Sequence, residues 1–146
     1  MPTGEPQDLL VLDSRLAELS RAQSWAEAFA DQHGASESTR YAIRLCLEEA
    51  LANVILHGYQ GEHGHPVVIR RWLSSDTLFF AIDDQAPPFN PVDAPASTRG
   101  SETSSLESLT PGGNGLPLLR HFAGWLAYER LPDGNRLAIG FVISIS

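Results

Sequence analysis

The stretch from Leu47 to Tyr59, LEEALANVILHGY, gathers two carboxylates, an amide, an imidazole and a terminating glycine into one short helical run. At about 100° per residue, Glu49, Asn53 and His57 fall on one stripe with Ala42, Cys46 and Leu56. Glu37, Arg40, Arg44 and Glu48 mark the wet face, roughly opposite. Ile43, Leu47, Ala50 and Val54 flank the stripe on one side, and Tyr41, Leu45 and Ala52 on the other, so Glu49 and Asn53 stand at the edge of a core. An unpaired polar group there costs about 1–3 kcal/mol. A ligand, a metal-bound water or a structural partner can meet that cost. Helix geometry alone leaves the plainer reading open, in which both side chains cap backbone or pair with an arginine.

Two further groups carry chemistry. Gly112-Gly113-Asn114-Gly115 precedes an apolar helix starting near Leu116, with Pro117 tolerated in its first turn. Glycines opening a helix form a phosphate cradle, because free N–H groups and the helix dipole both face an anion there. A ligand-free hinge uses the same residues, and no lysine follows as a P-loop requires. His57, His63 and His65 make an H-x5-H-x-H set, but that spacing matches no common zinc pattern and no cysteine assists it.

The elements that must position these groups follow from periodicity. Residues 1–8 form a polar arm, and Leu9 to Leu12 a short strand. Ser14 offers an N-cap for a helix that stops at His33-Gly34, and Ser36 or Ser38 caps a second helix running to Gly58. Val67–Leu73 and Thr77–Asp83 form a hairpin, and the prolines of DQAPPFNP after it forbid further pairing. Residues 92–114 are a long Ser/Thr/Gly/Pro-rich loop of the kind that serves as a lid, with a turn of helix over 104–109. The helix near Leu116 and a hairpin of Trp125–Arg130 with Arg136–Ile145 close the chain. Helices segregated from mostly antiparallel strands predict an α+β, two-layer sandwich with one domain over residues 9–146.

Composition narrows the function. The chain of 146 residues has 18 acidic against 10 basic side chains, a net charge of −8, and no basic run, which disfavours nucleic acid as a partner. The single Cys46 lies among apolar helical residues and makes no intrachain disulfide. With no basic n-region and no apolar run of about 18 residues, the expectation is a cytoplasmic protein without a membrane anchor.

Taken together these motifs resemble the histidine-kinase-like ATPase superfamily, most closely its small anti-sigma-factor serine kinases of the RsbW and SpoIIAB type. The N-box E-A-x-x-N-x-x-x-H-G-Y is matched by Glu49-Ala50, Asn53 and His57-Gly58-Tyr59. The first glycine box resembles Asp84-Gln85-Ala86-Pro87-Pro88-Phe89-Asn90-Pro91, and the second Gly112-Gly113-Asn114-Gly115-Leu116-Pro117-Leu118. A closing element resembles Gly134-Asn135-Arg136-Leu137. The resemblance implies a histidine-kinase-like (Bergerat) fold, with a mixed, mostly antiparallel sheet and three helices on one face. It implies that Asn53 ligates the Mg²⁺ bridging the ATP phosphates and that Glu49 is the general base toward an attacking hydroxyl. A carboxylate one turn before an amide suits both tasks, since the first accepts a proton and the second offers oxygen to a hard cation. Asp84 would accept a hydrogen bond from the adenine amino group, within a nucleotide site that includes Ala86, Phe89, Gly112, Gly113, Asn114, Gly115 and Leu116. The loop before those glycines would be the ATP lid.

Four positions depart from the family pattern. Ala86 replaces the usual glycine and loses easy access to positive φ, which weakens nucleotide binding. Pro117 and Gly124 replace residues that are usually polar or acidic, and Asn90 replaces an aspartate. The leading reading is an ATP-binding serine protein kinase and anti-sigma factor. It would phosphorylate a STAS-type anti-sigma antagonist in a partner switch, with a sigma factor as the other partner and a homodimer as the assembly. A non-catalytic, ATP-gated binding module is the alternative that Ala86 leaves open. A metal-dependent hydrolase built on the three histidines ranks third.

Overall fold

The computed structural model describes residues 8–88 and 115–143, with the side chains of residues 115–118 outside the description. Phe89, Gly112, Gly113 and Asn114, the lid and the helical turn expected over 104–109 all lie outside the described residues. The chain runs β1 (Asp8–Asp13), a 3₁₀ turn (Leu16–Glu18), α1 (Leu19–Gln32) and α2 (Glu37–Ala52). A π-helical segment (Asn53–Gly58) follows, then β2 (Pro66–Ser74), β3 (Thr77–Asp84), α3 (Gly115–Phe122), β4 (Trp125–Leu131) and β5 (Gly134–Val142).

The strands form one sheet in the order β1-β2-β3-β5-β4, and every pairing is antiparallel. The fold is therefore α+β as expected, but the mixed sheet is corrected to an antiparallel one. Connectivity supplies the reason. Two helices between β1 and β2 bring the chain back to the end of the sheet where β1 finishes, with Asp13 opposite Pro66, so the pair is antiparallel. β3 and β4 do run in the same direction, but β5 lies between them and removes the parallel contact.

One face of the sheet carries the core. Ile69, Leu78, Phe80, Ile82, Leu137 and Ile139 alternate inward along β2, β3 and β5 and meet Ala26, Phe29, Ile43, Leu47 and Leu51 of α1 and α2. Cys46 lies inside this core, where burial and the neighbouring Glu49 charge push its thiol up to about 12, so it is an inert packing residue. Arg71 also points to the helix side. Its guanidinium lies 4.3 Å from the Trp25 ring centroid and donates to the Trp25 carbonyl at 2.8 Å, which pins α1 to β2.

Local signals account for most boundaries. Ser36 caps α2 by accepting from the Thr39 N–H at 3.1 Å, and Gly34 at φ +78° ends the turn after α1. The N-cap expected at Ser14 is overturned. Ser14 is fully buried, donates to the Glu62 carbonyl at 2.6 Å and accepts from the His65 N–H at 3.1 Å, while helical structure starts only at Leu16. Its hydroxyl is directed to two nonlocal partners, and the N-cap position falls instead on Arg15, which makes no side-chain cap bond. The Ser14 bonds instead fasten the loop after Tyr59 to the end of β1.

Candidate functional site

The site begins where α2 changes its winding. After Ala52 the hydrogen bonding widens, so that the Tyr59 N–H reaches the Val54 carbonyl and the Gly61 N–H reaches Ile55, both at 2.8 Å. Each residue of a wider turn advances by a smaller angle, and such segments recur at functional sites. Glu49 precedes the change and Asn53 is the first residue of the wider segment, and both are buried on the core side, one turn apart. His57 follows it and is exposed, as is Leu56. The expected Glu49–Asn53–His57 stripe is therefore broken at His57. Gly58 and Tyr59 turn inward in its place.

Asp84, the last residue of β3, faces the same side of the sheet as the core. Burial is the main influence on its carboxyl and raises it above the ordinary range, while bonds from Asn135 and Ala86 pull the other way. Those two bonds, from the Ala86 N–H and from Asn135 Nδ2, are 2.8 Å each and both fall on Oδ1. Oδ2 receives neither of these two bonds. Asn135 is buried and works as a hub. Its Nδ2 also donates to the carbonyls of Ala86 at 3.2 Å and Pro87 at 3.1 Å. Its Oδ1 accepts from the Tyr128 hydroxyl and, at 3.3 Å, from Arg130 Nη1. These three neighbours of Nδ2 are acceptors and these two neighbours of Oδ1 donors, which fixes the orientation of the amide.

The backbone beside Asp84 is held from two sides. Tyr59 Oη accepts the Gln85 N–H at 2.7 Å and donates to the Pro66 carbonyl at 2.8 Å, and His65 stacks on its ring at 4.6 Å. The N-box helix thus ends on a side chain that clamps the turn after β3. On the other side Gly134 lies so close that an added Cβ would stand 1.7 Å from the Asp84 carbonyl oxygen, so only glycine fits there.

Ala86, which stands where the resembling family has glycine, does not adopt the positive φ that would strain an alanine there. Positive φ among the described non-glycine residues is confined to Gln60 and Ser75. The Ala86 methyl is buried against Gly58, where a Cβ on the glycine would come within 3.2 Å of it. Small size is required at one member of this pair, and here Gly58 supplies it. Gly115 opens α3, an eight-residue helix, while the side chain of Leu116 is outside the description. The histidine set finds no support, since no group of three or more metal-ligating side chains converges among the described residues. His65 instead pairs with Glu62 at 3.0 Å.

Sequence reasoning named Glu49, Asn53 and Asp84 but missed the roles of Tyr59, Tyr128 and Arg130. Tyr59 was visible only as the last letter of the N-box. Asn135 was visible in the closing motif, without its partners.

The chain belongs to the histidine kinase-like ATPase domain family, whose model matches residues 12–141. It is similar to the serine/threonine-protein kinase BtrW of Bordetella bronchiseptica, with 32% identity over 136 residues, covering 90% of this chain and 91% of that protein. Among solved structures it resembles the RsbU and RsbW domains of Rv1364c from Mycobacterium tuberculosis, with a TM-score of 0.68 and 14% identity over 97% of this chain. It also resembles the histidine kinase domain of a blue-light-activated histidine kinase from Erythrobacter litoralis, with a TM-score of 0.53 and 21% identity over 88% of this chain. This chain spans 34% and 60% of those two structures, and at such identities they speak to the fold alone. No helix among the described residues is long and apolar enough to cross a membrane.

Proposed function

We propose that this protein is an ATP-dependent serine/threonine protein kinase of the anti-sigma type, acting in the cytoplasm on a STAS-type antagonist, with a sigma factor as the alternative partner of the switch. The observation that carries the reading is the burial of Glu49 and Asn53 one turn apart, where the helix begins to widen, on the same side of the sheet as an Asp84 whose two described bonds both fall on Oδ1. The similarity to BtrW, named a serine/threonine-protein kinase, supports the same chemistry. Bound ATP with Mg²⁺ supplies the phosphoryl group and the charge that neutralises it.

Each residue then has a separable task. Asp84 accepts the adenine amino group through Oδ2, and Asn135 holds its other oxygen still. Asn53 offers its amide oxygen to the cation, and the start of α3 at Gly115 presents backbone N–H groups to phosphate. Glu49 takes the proton of the acceptor hydroxyl as that oxygen bonds to phosphorus and ADP departs. Glu48, rotated by about 100° and half-buried, shares none of this.

The test is transfer of γ-labelled phosphate from ATP to candidate STAS-type proteins, with ATP affinity measured separately. The expected result is label on an acceptor hydroxyl, with a loss of about 10²-fold or more in single-turnover rate for Glu49→Gln, near-wild-type affinity, and little change for Glu48→Gln. Equal effects from both substitutions would refute the assignment of the base. ATP binding without transfer by the wild type to any acceptor would establish the ATP-gated binding module instead.

A further inference from the structure

A row of side chains links the edge strand β4 to the end of β3. Asp84 pairs with Asn135 of β5, and Asn135 pairs with Arg130 of β4, so the three side chains stand side by side on one face of the sheet. An acid and a base thus flank an amide. Asn135 Nδ2 donates to Asp84 Oδ1 at 2.8 Å, and Arg130 Nη1 donates to Asn135 Oδ1 at 3.3 Å. The same Nη1 donates to the Ala86 carbonyl at 3.1 Å, so Arg130 reaches across β5 to the turn that follows Asp84.

The described acceptors of Arg130 are both neutral, a carbonyl and an amide oxygen. Its neighbour Glu129 points to the opposite face, 4.0 Å from Arg136 Nη1. Asp83, beside Asp84 in the chain, is turned to that face too and is held by Arg136 at 2.7 and 2.9 Å. The positive charge of Arg130 is therefore left to act along the row toward Asp84. Two strand spacings of about 4.8 Å each lie between β3 and β4. At effective permittivities of about 40–80, a unit charge about 8–10 Å away changes an ionisation equilibrium about two- to six-fold.

We infer that Arg130 is a positioning residue of the nucleotide site, which fixes the Asn135 amide and the turn after β3 from the β4 edge and balances the negative charge that Asp84 presents to the adenine amino group. This rests on the proposed reading of Asp84 as the adenine contact. Burial is the first influence on the Asp84 carboxyl and raises it; bonds from Asn135 and Ala86 oppose the rise, the Asp83 charge adds to it, and Arg130 opposes it. Tyr59 stands beside Asp84 from the end of the N-box helix as a neutral hydroxyl, since burial raises its own titration. Asp84 Oδ1 already receives two donors, so a proton taken up by the carboxyl goes to Oδ2 and makes that oxygen a donor facing the amino group. Without the Arg130 charge this protonation moves to higher pH, and ATP affinity is lost earlier as the pH falls.

The experiment is calorimetric titration of the full chain with ATP and Mg²⁺ from pH 5 to 8, for the wild type, Arg130→Gln, Arg130→Lys and Tyr128→Phe. Each variant is read as the ratio of its Kd to that of the wild type at the same pH, which cancels the titration of ATP itself. For Arg130→Gln the ratio should be smallest at pH 8 and grow by about two- to six-fold toward pH 5. Arg130→Lys keeps the charge, and Tyr128→Phe removes only a neutral donor to Asn135 Oδ1, so any weakening in either should be the same at every pH. Carbon-13 titration of the Asp84 carboxyl in the ligand-free chain should show a midpoint displaced upward in Arg130→Gln and unmoved in the other two. Arg130 is exposed, so the fold should survive these changes, as circular dichroism would show. A ratio for Arg130→Gln that does not vary with pH would overturn the assignment, because a brace without an electrostatic part weakens binding equally throughout. An acid-dependent loss as large in Arg130→Lys or Tyr128→Phe, or an unmoved Asp84 midpoint in Arg130→Gln, would overturn it as well. A wild type that binds no ATP at any pH would instead remove the adenine-site reading, and this inference with it.

Discussion

Replacing Asp84 by asparagine should move stability and ATP affinity in opposite directions. The side chains are isosteric, and an amide at position 84 can turn its one oxygen toward the Ala86 N–H and Asn135 Nδ2, keeping both 2.8 Å bonds. The NH₂ then stands where Oδ2 was. Burial raises the Asp84 carboxyl in the folded state, so the folded protein holds that proton more tightly than the unfolded chain. A carboxyl raised in this way contributes stability that is present at low pH and lost as pH rises through the folded value. At pH 7 the wild type therefore carries a buried charge that Asp84→Asn lacks, and the variant should melt no lower. As pH falls, the wild type sheds the charge and the difference should shrink. Binding should change the other way, because the amide donor faces the adenine amino donor and a hydrogen bond to a charged group is lost. Such a bond is worth about 1.5–3 kcal/mol, or roughly 10- to 150-fold in Kd. Calorimetric titration with ATP and Mg²⁺, together with thermal scans from pH 5 to 8, measures both quantities. Wild-type affinity in the variant would remove Asp84 from the adenine contact. A large drop in melting temperature at pH 7 would show that the charge itself supports the turn.

Four other substitutions probe the site and its supports. Gly134→Ala should cost about 4 kcal/mol or more, because its Cβ meets backbone 1.7 Å away, whereas Gly124→Ala, with its nearest neighbour at 3.5 Å, should cost under about 1 kcal/mol in chemical denaturation. Tyr59→Phe removes two hydrogen bonds, to Gln85 and Pro66, worth about 1–3 kcal/mol together, and should lower both the melting temperature and ATP affinity. If neither changes, the clamp on the turn after β3 is inert. Asn53→Ala should abolish the Mg²⁺ dependence of ATP binding while leaving Mg²⁺-free binding near wild type, and an undiminished Mg²⁺ effect would rule out its role as a ligand.

What the sequence disclosed, and what it concealed, follows from the range of each interaction. Glu49 and Asn53 could be placed on a buried stripe because an α-helix repeats over a few residues, and the Ser36 cap and the Gly34 stop are equally local. The same reasoning failed at His57, where the widened turn changes the angle per residue and no single residue type announces the change. Ser14 failed for the opposite reason. A serine ahead of a helix invites the N-cap reading, yet its partners Glu62 and His65 lie about fifty residues away in the chain and win the hydroxyl. Distance also hid the Asn135 hub, which joins the end of β3 to the second hairpin and acquires meaning only once β5 is seated beside β3. That insertion also removed the expected parallel pairing. The same placement of β5 sets Asn135 beside Asp84 at one end of β3 and Gly140 beside Phe79 nearer the other, so one strand both completes the turn after β3 and makes room for the large ring.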